Sequence, residues 1–342
     1  MQATSKKGFG DDVPKQVRAA ARRIPGVFTK EFSMIHVLCP NPAIDKLYAI
    51  DGFAAGEDYP GQRPAVRFGG KGVNVARVLS QLGESVHLYA FMGEESETGF
   101  RREMEKRCAC TFVTTQGACR TTVNIIDRAN RRETVITEAG PTVADEHVQA
   151  MMCAIEKNVQ TGDVVACSGS IIAGAPQDLY ARVSRLCSKM GARCALDTNA
   201  KTLPASLADA AYALGKPNER ELCALLGRQR TQAPETLAAY ARKLMPPYGA
   251  LLVSMGAEGG VWAEKETAYL ARVPDVKVVS TVGSGDASLA GALRAMSLGL
   301  GGEDALRLSM ACGAANAMLG EVGSVNMQDV DAVLEKIEIR KI

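Results

Sequence analysis

The chain has 342 residues and a formal net charge of +2, and 46% of its residues are hydrophobic but only 5% aromatic. This length fits one large α/β unit with a small appendage as well as two domains. Residues 1–33 hold seven Lys or Arg against three Asp or Glu, which leaves a net charge of about −2 on the rest of the chain. The body of the protein therefore lacks the net basic charge expected of a nucleic-acid-binding protein.

Cysteine and histidine usage argues against disulfide and metal frameworks. The ten cysteines are scattered through apolar stretches, which favours reduced thiols. The Cys108-Ala-Cys110 pair lacks the spacing of a zinc site, and three histidines are too few to favour a His-based metal centre. No run approaches the ~20 apolar residues that span a bilayer, and the N-terminus has no apolar signal core. We expect a soluble, cytoplasmic protein without a membrane partner.

Strand and helix patterns alternate after an N-terminal extension. Residues 1–33 lack a sustained apolar period, so we expect them to be disordered ahead of a domain covering 34–342. Apolar runs predict strands at 34–39, 86–91, 164–167, 193–196, 211–214 and 250–253. Helical patterns predict helices at 73–82, 178–190, 219–226 and 234–244. This alternation indicates βαβ units and a parallel sheet, whose sites form at the carboxyl ends of strands.

Two stretches break the alternation. Residues 47–68 and 117–137 show strand-like, partly polar patterns without intervening helices. They predict a small antiparallel sheet that projects from the main layer. Such a sheet beside a cleft could serve as a lid.

The first candidate site segment, in chain order, is Asn41-Pro-Ala-Ile-Asp45. It follows the first predicted strand, so Asp45 would stand at the carboxyl edge of the sheet. There its carboxylate could accept hydrogen bonds from two neighbouring ligand hydroxyls. A solvated turn aspartate explains the segment equally well.

A glycine-rich segment, Gly69-Gly70-Lys71-Gly72, precedes an amphipathic helix. The glycines would let the backbone approach a ligand, while Lys71 adds a positive charge and Asn74 an amide one turn on. An ordinary glycine-rich helix start remains an alternative. A dinucleotide fingerprint fits badly because Val75 replaces its third glycine, and a Walker loop fails because Ser or Thr does not follow Lys71.

The third segment, Gly215-Lys216-Pro217-Asn218-Glu219-Arg220-Glu221, follows a predicted strand and opens a helix. Asn218 and Glu221 lie three residues apart on one helical face, a spacing that suits a hydrated magnesium ion beside phosphates. Helix capping accounts for Asn218 equally well.

The strongest local signal is the turn Gly283-Ser284-Gly285-Asp286, which precedes a long Ala- and Leu-rich helix. Free backbone N–H groups at a helix N-terminus form an anion cradle. Asp286 could be the N-terminal cap of that helix. It could equally be a catalytic base that accepts a proton from an attacking hydroxyl beside the bound phosphates.

Taken in order, these segments resemble the ribokinase-like (PfkB) carbohydrate kinases from about Met34 to the C-terminus. Residues 69–74 and 283–286 match the two family signatures, with Asn218-x-x-Glu221 between them. Residues 41–45, Glu138-Ala-Gly-Pro, Ser168-Gly-Ser170 and the 280–286 turn most resemble 1-phosphofructokinases and tagatose-6-phosphate kinases. The resemblance implies a three-layer α/β/α fold with a mostly parallel central sheet and a small antiparallel β lid.

The resemblance also implies roles by position. Asp286 matches the catalytic base, and the amides of Gly283, Ser284 and Gly285 match the anion hole. The sugar would be held by Asp45, Gly69, Gly70, Asn74, Glu138 and Ser170. Lys71 and Arg120 would bind a phosphate that the substrate already carries, since two cations can bind one dianion. ATP and Mg²⁺ are the implied cofactors, served by Lys216, Asn218, Glu221, Ser254, Gly256, Gly259 and Asn316, with Asn218 and Glu221 at the metal.

We therefore expect ATP-dependent phosphorylation of a phosphorylated ketohexose, with fructose 1-phosphate as the leading substrate. Tagatose 6-phosphate and fructose 6-phosphate are alternatives, because Thr122, Thr137 and Ile171 depart from the branch pattern on the sugar side. A sugar-phosphate-binding regulator without turnover is a second class, and a dinucleotide-dependent oxidoreductase is disfavoured. By analogy with the family we expect a homodimer that packs lid on lid.

Overall fold

The computed structural model describes residues 33–130 and 132–342. The N-terminal extension was predicted to be disordered, and its residues 1–32 lie outside the described residues. The strands are β1 (Ile35–Cys39), β2 (Ala43–Ala49), β3 (Ala65–Gly69), β4 (Val86–Gly93), β5 (Ala109–Thr115), β6 (Arg120–Asp127), β7 (Arg132–Thr137), β8 (Val164–Ser168), β9 (Arg193–Asp197), β10 (Tyr212–Gly215), β11 (Tyr248–Ser254), β12 (Gly260–Glu264), β13 (Ala268–Arg272) and β14 (Glu338–Lys341). The helices are α1 (Lys71–Gln81), α2 (Glu94–Met104), α3 (Asp145–Asn158), α4 (Leu179–Met190), α5 (Leu203–Ser206), α6 (Glu219–Leu225), α7 (Pro234–Lys243), α8 (Ser284–Ser297), α9 (Gly302–Met318) and α10 (Met327–Leu334).

A ten-stranded sheet forms the centre, in the order β14-β13-β12-β11-β10-β9-β8-β1-β4-β5. Neighbours from β11 to β5 pair in parallel, and β12, β13 and β14 extend one edge antiparallel. Each of the parallel strands points its carboxyl end toward the same edge, so the segments that follow them share one side of the molecule.

Two apolar cores cover the faces of this sheet. In β1, Ile35, Val37 and Cys39 face the core formed with α1, α2, α8, α9 and α10. Leu38 faces the second core, to which α3, α4, α6 and α7 contribute. The alternation follows from the two-residue period of a strand, and it produces the predicted three-layer α/β/α fold.

A separate four-stranded sheet projects beside the carboxyl edge, in the order β3-β2-β6-β7. Its two outer pairs are antiparallel, while the central pair β2–β6 is parallel. These strands overlap the segments predicted to form the lid, and we call them the lid sheet. Within the described residues, every helix is too short or too polar to cross a lipid bilayer.

Candidate active site

Asp286 occupies the third position of α8, and it does not cap the helix. The residue at the N-cap is Gly283, whose φ of 82° lies in the left-handed region, and no described side chain caps the helix. A Cβ on Gly283 would stand 2.4 Å from the backbone nitrogen of Gly323, so this turn requires glycine. The capping alternative for Asp286 is therefore wrong. Of the amides predicted to form the anion hole, that of Ser284 donates to the Thr281 carbonyl over 3.2 Å, which leaves the Gly285 N–H group of the first turn for an anion.

The carboxylate of Asp286 binds the glycine-rich segment directly. Asn74 donates from Nδ2 to Asp286 Oδ2 over 2.8 Å, although the two residues are 212 positions apart in sequence. Burial raises the pKa of Asp286 to about 6, even though Lys71 and the Asn74 hydrogen bond favour the ionised form. A buried carboxylate with a pKa near neutrality is typical of a general acid or base.

Arg77 fixes the orientation of the Asn74 amide. It donates from Nη1 to Asn74 Oδ1 over 2.9 Å, so the amide nitrogen of Asn74 must face Asp286. Glu103 of α2 accepts from Arg77 Nη2 over 2.8 Å, and the Phe68 carbonyl accepts from the same nitrogen. Arg77 was missed at the sequence level, although its place three residues after Asn74 puts both on one helix face.

A second cluster joins Lys71, Asp197 and Lys216. Lys71 Nζ lies 3.1 Å from Asp197 Oδ1, and Lys216 Nζ lies 3.4 Å from Asp197 Oδ2. Asp197 is fully buried; burial raises its pKa, but the two lysines outweigh that effect and hold the pKa below its ordinary value. Asp197 was also missed, since a single acid at the end of β9 forms no recognised motif.

The two clusters meet at Asp286 and the turn before it. A Cβ on Gly285 would stand 3.4 Å from Lys216 Nζ, so this ammonium group lies beside the anion cradle. Asp197 makes the largest contribution to the raised pKa of Lys71. Burial opposes this rise, and Asp286 and Glu221 add to it. Two cations therefore stand near the Asp286 carboxylate, where they could attract phosphate charge.

Asp45 lies on β2, an inner strand of the lid sheet, next to Gly69 at the end of the outer strand β3. A Cβ on Gly69 would stand 2.1 Å from Asp45 Oδ2, so only glycine leaves room for this carboxylate. Burial raises the pKa of Asp45, and Arg120 and the Thr122 hydroxyl oppose that rise. The same Gly69 position is 3.7 Å from Asn74 Oδ1, which places Asp45 in the neighbourhood of the base.

Arg120 begins β6 next to Asn41 and Gly140. A Cβ on Gly140 would stand 3.2 Å from Asn41 Oδ1 and 3.5 Å from Arg120 Cβ. Arg120 Nε and Asn41 Oδ1 are buried without a hydrogen-bond partner among the described residues. Buried polar atoms of this kind indicate a site for a polar ligand, because leaving them unpaired costs about 1–3 kcal/mol each.

Three further predicted sugar-side residues lie around this pair. Asn41 donates from Nδ2 to Ser170 Oγ over 3.2 Å. Glu138 accepts at Oε2 from the Thr121 backbone nitrogen over 3.2 Å, so it also supports the start of β6. Gly70 has a φ of 103°, and a Cβ at this position would stand 3.0 Å from the Cα of Pro42. Contact of these residues with a sugar stays a prediction, as does a phosphate site shared by Arg120 and Lys71.

Asn218 and Glu221 form a reciprocal helix cap. Asn218 Oδ1 accepts from the Glu221 nitrogen over 2.8 Å, and Glu221 Oε2 accepts from the Asn218 nitrogen over 2.9 Å. Capping therefore explains Asn218, while Glu221 keeps a second oxygen and lies near enough to raise the pKa of Lys71. The second Glu221 carboxylate oxygen could bind a hydrated Mg²⁺, and a metal contact for Asn218 and Glu221 stays a prediction.

The predicted nucleotide loop follows β11. Ser254 ends that strand and bridges to Asn218, and the loop makes one turn of 3₁₀-helix at Gly256–Glu258. A Cβ on Gly259 would stand 2.0 Å from the Ala271 carbonyl oxygen, so this glycine is required by contact with β13. A nucleotide contact for Ser254, Gly256 and Gly259 stays a prediction.

Asn316, predicted to lie near the nucleotide base, requires a correction. It is fully buried, and it donates from Nδ2 to the Val282 carbonyl over 3.0 Å and to Ser284 Oγ over 3.2 Å. Its Oδ1 accepts from the Ser324 nitrogen over 3.1 Å. Because the amide is fully engaged, Asn316 fixes the glycine turn from behind and does not face an open cleft.

Comparison with known proteins identifies the family and the fold. The model of the pfkB family carbohydrate kinases matches residues 40–327. A candidate phosphofructokinase from Staphylococcus aureus is 25% identical, with a TM-score of 0.76 over 90% of this chain and 99% of that one. Phosphofructokinase-2 from Escherichia coli, in a tetrameric inhibited form, is 22% identical with a TM-score of 0.81 over the same shares.

Two further structures are similar in fold. The Escherichia coli phosphofructokinase-2 complex with fructose-6-phosphate is 21% identical, with a TM-score of 0.80 over 90% of this chain and 99% of that one. A candidate 1-phosphofructokinase from Thermotoga maritima is 21% identical, with a TM-score of 0.77 over the same shares.

Proposed function

Since this chain belongs to the pfkB family of carbohydrate kinases and is a phosphotransferase with an alcohol acceptor, we propose that it transfers the γ-phosphoryl group of ATP to the free primary hydroxyl of fructose 1-phosphate. The product is fructose 1,6-bisphosphate. The observation that carries this proposal is the hydrogen bond between Asn74 and Asp286, because it joins the glycine-rich helix start to the carboxylate at the anion cradle.

Asp286 acts as the general base. Asn74 binds one carboxylate oxygen, which leaves the other to accept the proton of the substrate hydroxyl. Burial raises the pKa of Asp286 to about 6, so the carboxylate is more basic than usual and is still mostly ionised at neutral pH. Arg77 keeps the Asn74 amide turned toward this carboxylate.

The anion cradle binds the phosphoryl group during transfer. The backbone N–H group of Gly285 would face the developing negative charge at the positive end of α8, whereas that of Ser284 already donates to the Thr281 carbonyl over 3.2 Å. Lys216 beside Gly285 adds a full positive charge. Glu221, with Asn218, would hold Mg²⁺, which supplies further charge neutralisation to the nucleotide phosphates.

Arg120 is the residue that selects a substrate already carrying a phosphate. Its Nε is buried and unpaired among the described residues, and Asn41 beside it has an unpaired Oδ1. A guanidinium group suits a phosphate dianion because it donates two parallel hydrogen bonds. Asp45 and Asn74, on the path from Arg120 toward Asp286, would hold the ring hydroxyls.

Fructose 6-phosphate is the main alternative acceptor. The Escherichia coli phosphofructokinase-2 described above was solved with that sugar phosphate. Tagatose 6-phosphate is a further alternative, and Thr122 at Asp45 marks the place where these sugars would be distinguished. A regulator without turnover would have no use for a buried carboxylate whose pKa is adjusted for proton transfer.

A substrate screen tests the proposal. ADP release from ATP would be measured with fructose 1-phosphate, fructose 6-phosphate, tagatose 6-phosphate and unphosphorylated fructose, and the product identified by ³¹P NMR. The proposal expects the highest kcat/KM with fructose 1-phosphate. A preference for fructose 6-phosphate would mean that the proposed substrate is wrong and that the enzyme is still a sugar-phosphate kinase. A preference for unphosphorylated fructose would refute the phosphate role of Arg120.

We also propose a homodimer that packs through the lid sheet, and a cytoplasmic location. Val66, Val135 and Ile136 of the lid sheet are all more than half exposed, although their side chains are large and apolar. All ten cysteines are free thiols, which suits a reducing compartment.

A further inference from the structure

Two thiols stand side by side at the edge of the central sheet. Cys108 lies in the turn between α2 and β5, and Cys110 is the second residue of β5. Their sulfur atoms are 3.9 Å apart, and both side chains are partly exposed. We propose that Cys108 and Cys110 are a peroxide-sensitive dithiol that closes reversibly to an intramolecular disulfide.

The local backbone permits this closure. A disulfide requires the sulfur atoms to approach to about 2.05 Å, so they must move closer by roughly 2 Å. Cys108 lies outside regular structure, and β5 is an edge strand that pairs with β4 alone in the central sheet. A shift of the turn therefore disturbs one strand ladder, whereas a shift within a central strand would disturb two.

The surroundings distinguish the two thiols. The two sulfur atoms share one hydrogen bond, which either thiol can donate. This hydrogen bond and, against the effect of burial, Arg107 and Arg77 lower the pKa of Cys108, whereas Glu105 near Cys110 acts in the opposite direction. Because Cys108 also lies in the turn outside β5, we assign it as the nucleophile and Cys110 as the thiol that resolves its oxidised form.

The reaction balances with a peroxide as oxidant. The Cys108 thiolate attacks one peroxide oxygen, the O–O bond breaks, and Cys108 becomes a sulfenic acid as hydroxide leaves. The Cys110 sulfur then attacks the Cys108 sulfur, the S–O bond breaks, and water departs with the proton from Cys110. Together the two thiols lose two electrons and two protons, and hydrogen peroxide is reduced to two molecules of water.

The chain provides its own controls. Cys167 and Cys194 have the same 3.9 Å separation, but both are buried beneath the opposite face of the sheet. Cys153 is exposed and has no sulfur partner within hydrogen-bond reach among the described residues. The Cys167–Cys194 pair therefore has the short sulfur–sulfur distance without solvent access, and Cys153 has solvent access without a nearby sulfur atom.

Peptide mapping of the folded, full-length protein after hydrogen peroxide treatment tests the proposal. The tryptic peptide 108–120 also contains Cys119, so fragment spectra must locate the link. We expect a Cys108–Cys110 disulfide, reversed by dithiothreitol, at a rate at least about tenfold above any loss of the Cys167 and Cys194 thiols. Cys153→Ser should leave this result unchanged.

The single variants identify the nucleophile. In Cys110→Ser, we expect dimedone to trap a sulfenic acid at Cys108, while Cys108→Ser should yield little adduct at Cys110. If either variant fails to fold, the wild-type map alone decides. Folded wild type in which Cys153 is oxidised while Cys108 and Cys110 both remain open to alkylation would overturn the proposal, and so would a link to another chain.

Discussion

The basicity of Asp286 comes from the burial of its carboxylate. Its carboxylate lies in the first turn of α8, with 7% of the residue exposed, and the hydrogen bond from Asn74 satisfies one oxygen. Burial raises its pKa more than the nearby Lys71 and the hydrogen bond lower it. A solvated carboxylate would be fully ionised at neutral pH too, but it would be a weaker base.

The pH dependence of catalysis follows from this pKa. Only the ionised Asp286 can accept a proton, so kcat/KM should fall about tenfold per pH unit below a pKa of about 6. Measuring kcat/KM for the phosphosugar between pH 5 and pH 8, at saturating ATP, checks this expectation. A flat profile from pH 5 to pH 7 would contradict it, provided that the fold is shown to persist at the lower pH.

Arg120 should affect the sugar phosphate and not the nucleotide. Replacing it with Ala removes the guanidinium group whose Nε is unpaired among the described residues. We expect Arg120→Ala to raise KM for the phosphosugar about 10- to 100-fold and to change KM for ATP less than twofold, because charge-assisted hydrogen bonds contribute about 1.5–3 kcal/mol.

The control for Arg120→Ala is Arg182→Ala. Arg182 lies exposed on α4, where it pairs with Asp178 one turn away. Steady-state kinetics on both variants should change only for Arg120→Ala. Equal increases in KM for ATP and for the phosphosugar would argue that Arg120 supports the fold of the cleft and does not bind the phosphate.

The packing of α1 against α8 brings the site together. Asn74 and Arg77 lie on one face of α1, Asp286 lies on the first turn of α8, and Glu103 of α2 holds Arg77 from the other side. The orientation of the Asn74 amide thus depends on three helices. This geometry makes Arg77 a positioning residue.

Arg77→Lys should lower kcat without weakening nucleotide binding. Lysine keeps the charge, but it cannot bond Asn74, Glu103 and the Phe68 carbonyl at once. We expect kcat to fall about tenfold, KM for ATP to stay within twofold, and the acid limb of the pH profile to shift as the Asn74 hydrogen bond to Asp286 weakens. A lower melting temperature with unchanged kcat and pH profile would show a purely structural role.

Apolar runs predicted the parallel strands well, because a strand buried on both faces has few polar residues. Thus β1, β4, β8, β9, β10 and β11 all begin or end within two residues of the predicted bounds. The antiparallel edge strands β12, β13 and β14 were missed, since they lie outside the βαβ pattern. In β14, Glu338–Lys341, charged and exposed residues surround a single apolar residue, whereas β12 and β13 are short buried runs with no helix between them.

The site was predictable where residues form a motif, and not where single side chains converge. Asn74 and Asp286 belong to glycine-rich turns, which mark a close backbone approach in the sequence. Asp197 and Arg77 reach the site only through tertiary packing. Asn316 was misassigned because α9 is buried on nearly every side, so its sequence pattern does not tell which way an amide points.

At the scale of the whole molecule, the lid sheet carries both residues proposed to bind the sugar and an exposed apolar surface. Ile136→Asp would place a charge on that surface, where Ile136 is 55% exposed. We expect sedimentation velocity at micromolar concentration to show a wild-type dimer and a folded monomeric variant, since an uncompensated charge at an apolar contact opposes association. Val278→Asp, at an equally exposed residue outside the lid sheet, should remain dimeric.

A wild-type monomer at that concentration would refute the dimer and leave the catalytic account standing, because each residue proposed for catalysis comes from one chain.

The central claim is that Asp286, which lies where the two glycine-rich turns meet, is the catalytic base. The substitution Asp286→Asn tests this claim most directly. We predict that kcat for phosphoryl transfer falls at least about 100-fold, while ATP binding measured by calorimetry stays within about threefold of wild type. The melting temperature at pH 7 should not fall, because the raised pKa means that the ionised carboxylate opposes folding above pH 6. Turnover close to wild type in a folded Asp286→Asn protein would contradict the account.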